Sequence, residues 1–463
     1  MTSTSPQQLE PGSFRDRDSR VYYDGQRVLR GLSARGLEEW ETLSSKAFFT
    51  KLLEQGDVIG TRRATEPAES WSAALEHDRI PFVSYPYEWS FGMLRAAALL
   101  QLSILGAALK EGMILKDASS YNVQFQGAHP VFIDIPSFVR LEAGEAWTGY
   151  RQFCELNLYP LLLQAYKGVP FQPWLRGSID GIPAADCNAL MSARDKFRKG
   201  VLMHVSLQAA AQARFANTKR DVRSDVRKAG FHRELIEINV RKLTKLVQGL
   251  EWKQGRSEWS HYANDNSYDD ADRERKREFV RSAVQAEPRK LVWDLGSNTG
   301  DYSRIAAESA DYVIAMDGDT LAVERMYRQL AKEQNTRILP LSINIADSSP
   351  NLGWRGAERK SLAGRGSVDM TLCLALIHHV VIGANIPLSE FIDWLATLHS
   401  DLVIEFVTKQ DPMVETLLRN KDDRYDDYDQ GFMETCLAKH FETVRTLPLE
   451  SGTRTLYHCK RRA

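Results

Sequence analysis

The clearest pattern along the chain is a regular alternation of apolar strand-like runs and amphipathic helical stretches from residue 290 to the end. Strands that alternate with helices indicate a mainly parallel sheet with helices on both faces. The final runs, HFETVRTLPLE and TRTLYHCKR, flank a Ser-Gly turn and predict a terminal antiparallel hairpin. The strands predicted ahead of this hairpin are KLVWDLG, DYVIAMDGD, ILPLSINIAD, VDMTLCLALIHHV and DLVIEFVT.

Before residue 290 the pattern is less regular, and it divides the chain into further parts. A chain of 463 residues favours two or three domains. Residues 1–20 are polar and are predicted to be disordered. Residues 21–187 are predicted to form an α+β accessory domain with strand-like pieces such as IPFVSYPYEW and PVFIDIPSF, and 188–256 a basic helical connector. Residues 257–463 form the predicted second domain.

One run, AAALLQLSILGAAL at 96–109, is apolar enough to raise the question of a membrane. Its fourteen residues fall short of the roughly 20 that cross a bilayer, so we expect a buried helix and no membrane span. The N-terminus lacks the apolar core of a secretory signal. The five cysteines are widely separated and form no CxxC pair, which indicates neither disulfides nor a zinc site. We therefore expect a cytoplasmic protein without a bound metal.

The net charge of −1 conceals a strongly basic block. From Arg194 to Arg256 there are sixteen Lys and Arg against six Asp and Glu. The favoured interpretation is a solvated helical face that packs on an acidic neighbouring domain. A non-catalytic nucleic-acid-binding protein is an alternative, but the block has too few aromatic residues among its basic ones to favour stacking on bases, so a nucleic-acid partner is not expected.

The loop after the first strand of the second domain, DLGSNTGD, carries the most specific chemistry. Gly296 and Gly300 allow a sharp turn and a close approach of the backbone to a ligand. The spacing is DxGxxxG, which lacks the GxGxxG of dinucleotide sites and places Asp294 where a phosphate would be repelled. An acid here suits a cationic ligand. S-adenosylmethionine (SAM) has an ammonium and a sulfonium but no phosphate, and we expect Asp294 to reach the ammonium directly or through water.

Polar residues also end the second and third strands. Asp317 is predicted to accept hydrogen bonds from both ribose hydroxyls, and the segment from Asn344 to Asp347 to meet the adenine. The alternative is that Asp294 and Asp317 only cap helices. The full predicted cofactor set is Asp294, Gly296, Ser297, Asn298, Gly300, Asp317, Gly318, Asp319, Asn344, Ile345, Ala346, Asp347, Leu374 and Ala375.

With these motifs, residues 290–463 resemble a class I, Rossmann-like SAM-dependent methyltransferase with its seven-stranded sheet and terminal hairpin. Through YPYEWSFGML, LKDASSYNVQF, VFIDIPSF, VWDLGSNTGDYS and LALIHH, nearly the whole chain is similar to a bacterial family of methyltransferases related to a host-specific nodulation protein. The resemblance implies SAM as the cofactor and methyl transfer as the reaction. The acceptor is expected to be an O or N atom of a small molecule or glycoconjugate.

Candidate catalytic residues follow the fourth and fifth strands. His378 or His379 is the predicted general base, because imidazole titrates near neutral pH, and the sequence leaves open which of them faces the acceptor. Glu405 and the loop 409–411 are predicted to line the acceptor pocket or, alternatively, to begin the next helix. The aromatic leader Trp259, Tyr262 and Tyr268 is predicted to cover the cofactor or to pack between domains.

A second set of candidate functional residues lies in the first domain, in LKDASSYNVQFQGAHPVFIDIPSF. Asp117, Asn122 and Asp134 resemble the base, metal ligand and second metal carboxylate of kinase-like phosphotransferases. Lys116 stands where such enzymes have an HRD or HGD motif, and residues 20–90 contain neither a glycine-rich phosphate loop nor a VAIK lysine. We expect a degenerate kinase-like domain or an Asx-rich hairpin turn. A nucleotide-dependent phosphotransferase is the alternative function.

Overall fold

The computed structural model describes residues 8–65, 70–216, 232–253, 270–419 and 421–462. The chain forms two compact units. Unit 1 comprises residues 1–125, 130–254 and 353–359, and unit 2 comprises 126–129, 255–352 and 360–463. Unit 2 takes up the chain again at residue 255, and the second domain was predicted to begin at residue 257.

The strands and helices are numbered here in chain order. The strands are β1 Gln8–Leu9, β2 Ser19–Asp24, β3 Arg27–Leu32, β4 Thr61–Arg63, β5 Ala73–His77, β6 Met113–Leu115, β7 Val123–Gln126, β8 His129–Phe132, β9 Phe138–Arg140, β10 Leu291–Leu295, β11 Tyr312–Asp317, β12 Ile338–Ser342, β13 Met370–Cys373, β14 Asp401–Val407, β15 Phe441–Pro448 and β16 Arg454–Arg461. The α-helices are α1 Ala34–Ser44, α2 Ala47–Gln55, α3 Phe91–Lys110, α4 Tyr150–Phe153, α5 Tyr159–Lys167, α6 Gln172–Gly177, α7 Ala184–Leu190, α8 Leu207–Ala216, α9 Arg233–Gln248, α10 Asp270–Gln285, α11 Asp301–Ala306, α12 Thr320–Lys332, α13 Leu388–Thr397, α14 Pro412–Leu418 and α15 Gln430–His440.

Unit 1 combines an antiparallel sheet with a buried central helix. The sheet has five strands in the order β1-β2-β3-β5-β4. Helix α3 is the buried helix predicted from the apolar run, but it has 20 residues because Ser90 caps it early, its side chain accepting a hydrogen bond from the Met93 N–H. Its length and composition alone would allow it to cross a membrane. Its side chains are mostly buried in unit 1, as expected for the core helix of a globular domain.

Three predictions for the first half are wrong. Within the segment predicted to be disordered, residues 8–20 are ordered: β1 pairs with β2, and the Arg15 guanidinium binds both carboxylate oxygens of Glu358 at 2.9 and 2.7 Å. The predicted connector is part of unit 1 as far as residue 254. Its helix α9 packs on α3, because its apolar stripe is buried and Arg95 donates to the Leu250 carbonyl at 3.1 Å. Within the segment IPFVSYPYEW there is no strand, only a short 3-10 turn at Pro86–Glu88.

Unit 2 is built on a seven-stranded sheet in the order β12-β11-β10-β13-β14-β16-β15. The first five strands in this order run parallel, and β16 and β15 are antiparallel and form the terminal hairpin. Strands β10 and β13 are buried throughout, as expected when helices cover both faces. The predicted Rossmann-like α/β architecture is therefore confirmed.

Two local features of unit 2 differ from the prediction. The run VDMTLCLALIHHV is a strand only over Met370–Cys373, because Ala375 takes a left-handed φ of 51° and a π-helical turn follows at His379–Gly383. Helix α15 was not predicted, because its apolar residues follow no clear helical period, although Asp429 caps it by accepting from the Phe432 N–H.

Candidate functional site

The chain order of the strands in unit 2 reverses between β10 and β13. From β10 the chain adds β11 and β12 on one side, then returns to place β13 and β14 on the other. Ligands of open parallel sheets bind at such a point, beyond the carboxyl ends of the strands. Leu295 and Cys373, the last residues of β10 and β13, lie in one row across the sheet with Met316 of β11 and Ile404 of β14. The predicted cofactor loop and the predicted base therefore begin at the same edge.

The loop after β10 is held in a tight conformation. Gly296, Asn298 and Gly300 have φ values of 74°, 48° and 88°, in the left-handed region where glycine carries no steric cost. The backbone N–H groups of Gly296 and Ser297 both donate to the Met316 carbonyl, at 2.8 and 2.9 Å. The loop is thereby tied to the end of β11.

Asp294 lies beneath this loop and is almost completely buried. Its carboxylate accepts a hydrogen bond from the Ser303 hydroxyl at 2.6 Å. Burial raises the pKa of Asp294 to about 6, although the hydrogen bond from Ser303 stabilises the charged carboxylate and so acts to lower this pKa. The nearby carboxylate of Asp317 raises this pKa further. Asp294 is thus a buried acid whose charge changes close to neutral pH.

Asp317 closes β11 and binds the loop directly. One of its carboxylate oxygens accepts from the Asn298 N–H and the other from the Asp319 N–H, both at 2.7 Å. A carboxylate has about four acceptor positions, so each oxygen retains capacity for a ligand hydroxyl. Burial raises the pKa of Asp317 above its usual range. The predicted arrangement of a second-strand acid beside the glycine loop is present in the structure.

The predicted adenine segment lies beside the same strand end. A Cβ atom added to Gly318 would be 3.8 Å from Asn344, so the two strand ends approach closely. The Asn344 side chain accepts from the Ala346 N–H at 3.0 Å, at the start of a 3-10 turn that ends at Asp347. Asp319 caps α12 by accepting from the Leu321 N–H at 2.8 Å. Asp319 therefore caps a helix, whereas Asp294 accepts from the Ser303 hydroxyl of α11 and Asp317 accepts from the Asn298 N–H of the loop.

The chemistry of this loop fits SAM better than a phosphate-bearing nucleotide. Asp301, in the first turn of α11, adds a third acid to Asp294 and Asp317 at a helix N-terminus where a phosphate would need to bind. The Ser297 hydroxyl is buried and has no hydrogen-bond partner among the described residues. A buried hydroxyl without a partner is costly, and a polar ligand group at the loop would satisfy it. Asp294, Ser297 and the loop backbone would hold the amino-acid part of the cofactor.

The two histidines that follow β13 differ in environment. His378 is buried, and neither of its ring nitrogens has a hydrogen-bond partner among the described residues. His379 is half-buried, and its ring centre lies 4.1 Å from that of His378. Burial lowers the pKa of His379 to about 4 and that of His378 well below its usual value. Both are therefore neutral near pH 7, and His379 is the more accessible of the two.

The other side chains of this segment connect it to the glycine loop. A Cβ atom added to Gly296 would be 3.1 Å from the Leu376 side chain, so the segment after β13 lies against the loop. Leu374 is buried, and Ala375 takes the left-handed turn described above. The predicted cofactor residues Leu374 and Ala375 directly precede Leu376, whose side chain lies against the loop.

Glu405 does not line an open pocket, contrary to the prediction. It is completely buried, and its carboxylate accepts from the Lys276 ammonium at 2.6 Å and lies 3.6 Å from Arg454. Arg454 also binds Asp411 at 2.7 Å. Asp411 caps α14 by accepting from the Met413 N–H at 3.0 Å, so the helix-start alternative holds for this loop. The Glu405 carboxylate therefore belongs to an internal ion pair with Lys276.

Lys276 and Arg454 are residues of this network that were not predicted from the sequence. Lys276 has the less visible signal. It lies on α10, where its neighbours are an unremarkable series of charged residues, and its ammonium is buried 4.7 Å from the centre of the Tyr302 ring. Burial lowers the pKa of Lys276, and the Glu405 carboxylate opposes that shift. The leader residues Trp259, Tyr262 and Tyr268 lie outside the described residues.

The kinase-like set of unit 1 is brought together, but it is already engaged within the protein. Asn122 donates to the Ser137 hydroxyl at 3.3 Å, and that hydroxyl donates to Asp134. The second oxygen of Asp134 forms an ion pair with Arg30 at 3.3 Å. Burial raises the pKa of Asp117, and the neighbouring carboxylate of Asp134 raises it further.

Comparison with known proteins gives one relative that matches along nearly its whole length. The chain is 34% identical over 460 residues to the nodulation protein NoeA of Rhizobium meliloti (strain 1021), covering 97% of this chain and 95% of NoeA. No family model matches the chain.

Among solved structures, the N-methyltransferase NodS of Bradyrhizobium japonicum WM9 aligns with a TM-score of 0.32 and 10% identity, over 42% of this chain and 99% of NodS. The magnesium protoporphyrin IX methyltransferase ChlM of Synechocystis PCC 6803 aligns with a TM-score of 0.32 and 16% identity, over 44% and 93%. The predicted relationship to a nodulation protein is confirmed by the match to NoeA, which extends along both chains. The chain belongs to the NoeA family of nodulation proteins.

Proposed function

We propose that this chain is a SAM-dependent methyltransferase and that unit 2 holds the cofactor. The observation that carries the proposal is the hydrogen bond from the Asn298 N–H to the Asp317 carboxylate. This bond fixes a carboxylate, both of whose oxygens can accept hydrogen bonds, beside a glycine loop whose acids would repel a phosphate. A carboxylate in this position suits a vicinal diol such as the ribose of SAM. When bound, SAM supplies an activated methyl group, and the protein's task is to position the acceptor and to manage a proton.

The proposed acceptor is an O or N atom of a small molecule or glycoconjugate, and His379 is the proposed base. Its half-buried ring follows β13, on the segment that lies against the glycine loop, while the ring of His378 is enclosed. A neutral imidazole can accept the proton that a hydroxyl loses during transfer, or the proton that an amine nitrogen loses once it has been methylated. With a pKa of about 4, His379 is available in its basic form throughout the physiological range.

The test of this role compares two His→Asn substitutions, with isotopically labelled SAM and mass analysis of candidate acceptors. His379→Asn is expected to lower methyl transfer by about a hundredfold or more, the usual contribution of a general base. Its affinity for S-adenosylhomocysteine (SAH) should stay near that of the wild type. His399→Asn is the matched control, since His399 is exposed and its left-handed φ of 58° suits asparagine. Equal loss in both variants, or full activity in His379→Asn, contradicts the role.

The pKa of Asp294 gives a separate prediction about pH. Only the ionised carboxylate favours a ligand ammonium, and the carboxyl group protonates as pH falls through its pKa of about 6. SAH affinity measured by calorimetry should therefore tighten by roughly tenfold from pH 5 to pH 7. Asp294→Asn should bind more weakly at pH 7 and lose this dependence, because its amide does not titrate. A wild-type affinity that stays constant over this range contradicts the prediction.

Phosphotransfer by unit 1 is the second candidate, favoured by the close placement of Asp117, Asn122 and Asp134. It needs Asp134 as a metal ligand, and this carboxylate is committed to Arg30 and Ser137. The candidate requires a magnesium-dependent increase in melting temperature with ATP that Asp134→Ala removes. The absence of such a response in the wild type excludes it.

A further inference from the structure

Exposed apolar side chains are concentrated on one short segment of unit 1. Of thirteen large apolar residues exposed in the described parts of the chain, five lie between residues 190 and 207. Folding normally removes such side chains from water, and a cluster of them on a surface marks an interaction site. The five are Leu190, Phe197, Leu202, Met203 and Leu207.

The segment is held rigidly in this orientation. The buried carboxylate of Asp195 accepts from the Lys167 ammonium at 2.9 Å and from the Ser192 hydroxyl at 2.7 Å, which fixes the 3-10 turn Asp195–Phe197. Phe197 projects from this turn and is 93% exposed. These ion-pair and hydrogen-bond partners hold the pKa of Asp195 far below its usual value, so the turn persists at any physiological pH.

The π-helical turn that follows, Val201–Ser206, is anchored by its inner face. Val201, His204 and Val205 are buried, and the His204 carbonyl accepts from the Tyr159 hydroxyl at 2.6 Å. Leu202 and Met203 lie on the outer face and are each 57% exposed. Because the backbone hydrogen bonds span five residues, Leu202 and Leu207 lie on the same side of this segment. Leu202, Met203 and Leu207 thus face outward, and together with exposed Phe197 they are called the ridge, residues 197–207.

The surroundings of the ridge are basic. Arg194, Lys196, Arg198 and Lys199 are exposed, while Asp195, the one acid between residues 194 and 207, is buried and paired. Helix α9 adds further exposed cations beside the ridge. Lys242 on this helix is close enough to His204 to contribute to the lowering of its pKa.

We propose that this ridge is a peripheral binding site for membranes that contain anionic phospholipid. Apolar side chains inserted at the boundary between headgroups and acyl chains, flanked by Lys and Arg that contact anionic headgroups, are the features of interfacial membrane binding. A twofold contact between the ridges of two copies would bring two basic surfaces together, which is repulsive. A nucleic acid would satisfy the cations, but it would leave Leu202 and Met203 in water, since single strands stack on aromatic rings. The favoured interpretation of the basic block as a solvated face is revised for the part around residues 194–207.

The test is co-sedimentation of the full chain with vesicles of phosphatidylcholine alone or with about a third of phosphatidylglycerol. We expect binding to the anionic vesicles only, weakened by added salt. The triple variant Phe197→Ser, Leu202→Ser and Met203→Ser should bind at least about tenfold more weakly, and so should Lys196→Glu with Lys199→Glu. The matched control is Phe432→Ser with Val444→Ser, which removes exposed apolar side chains of unit 2 and should bind as the wild type does.

Several outcomes overturn the proposal. One is equal sedimentation with neutral and anionic vesicles, or none with either. Another is a dimer in light scattering that the triple variant converts to a monomer, because the ridge is then a contact between copies. A third is tight binding of a single-stranded oligonucleotide that the charge variant loses and the apolar variant keeps. If the triple variant fails to fold, the single substitution Phe197→Ser, at a side chain that is almost entirely in water, gives the same comparison.

Discussion

Asp317→Asn is expected to weaken SAH binding by about a hundredfold. Each carboxylate oxygen of Asp317 accepts one backbone N–H, from Asn298 or Asp319, and the proposed ribose hydroxyls take the remaining acceptor positions. A hydrogen bond to a charged group contributes about 1.5–3 kcal/mol, and about 1.4 kcal/mol corresponds to a tenfold change in affinity. The asparagine amide keeps one acceptor oxygen and turns its NH₂ group towards a backbone donor. The substitution therefore weakens the hydrogen bonds to the ribose and also a hydrogen bond that holds the loop.

The control for this substitution is at the other end of the same strand. Asp311 directly precedes β11, is exposed, and is far along the strand from the glycine loop. Asp311→Asn should leave the calorimetric affinity for SAH unchanged. The melting temperature of each ligand-free variant separates a lost binding site from a lost fold. An Asp317→Asn affinity within about threefold of the wild type would contradict the proposed ribose contact.

Glu405→Gln is expected to destabilise unit 2 by about 3–5 kcal/mol, because it leaves the Lys276 ammonium buried without its counter-ion. For a unit of this size, 1 kcal/mol corresponds to about 2–4 °C, so the melting temperature should fall by roughly 10 °C. Burial already lowers the pKa of Lys276, and removing the carboxylate that opposes this shift favours the neutral amine. The effect is large because water cannot screen an ion pair that is enclosed on all sides.

Two variants make this prediction specific to the buried pair. Glu308→Gln breaks the ion pair with Arg281 of the same helix α10. Because the Glu308 carboxylate is exposed to water, the melting temperature should change little. The double variant Lys276→Met with Glu405→Leu removes both charges and should recover much of the loss seen in Glu405→Gln. If Glu405→Gln melts as the wild type does, the pair is not the internal link between α10 and the sheet that the structure indicates.

The parts of unit 2 that depend on short-range patterns could be predicted from the sequence. The buried strands β10 and β11, the glycine loop and the terminal hairpin each have a local signature of apolar runs or turn residues. Glu405 and Lys276 could not be paired in this way, because they are 129 residues apart and only the packing of α10 on the sheet brings them together. A buried acid and an acid in a binding cleft look the same in a sequence.

The same limit explains the errors in unit 1. The predicted disorder of the N-terminus rested on its polar composition, but the polar side chain of Arg15 makes a long-range ion pair with Glu358, 343 residues away. Likewise, Asp117, Asn122 and Asp134 were predicted to lie together because they are close in sequence around one hairpin. Arg30, which forms an ion pair with Asp134, could not be predicted, because it comes from β3, more than a hundred residues earlier. Local spacing predicts which residues meet in a turn, and the fold determines what else they meet.

The most direct test of the central claim is calorimetric titration of the full chain with SAH, with NAD⁺ and ATP as comparisons. The proposed function predicts that SAH binds saturably at one site per chain, that Asp317→Asn removes most of this affinity, and that NAD⁺ does not compete. The acids around the glycine loop exclude the pyrophosphate of NAD⁺ for the same reason that they suit a cationic ligand. No detectable binding of SAH or SAM by the folded wild-type chain, or preferential binding of NAD⁺ at this loop, would contradict it.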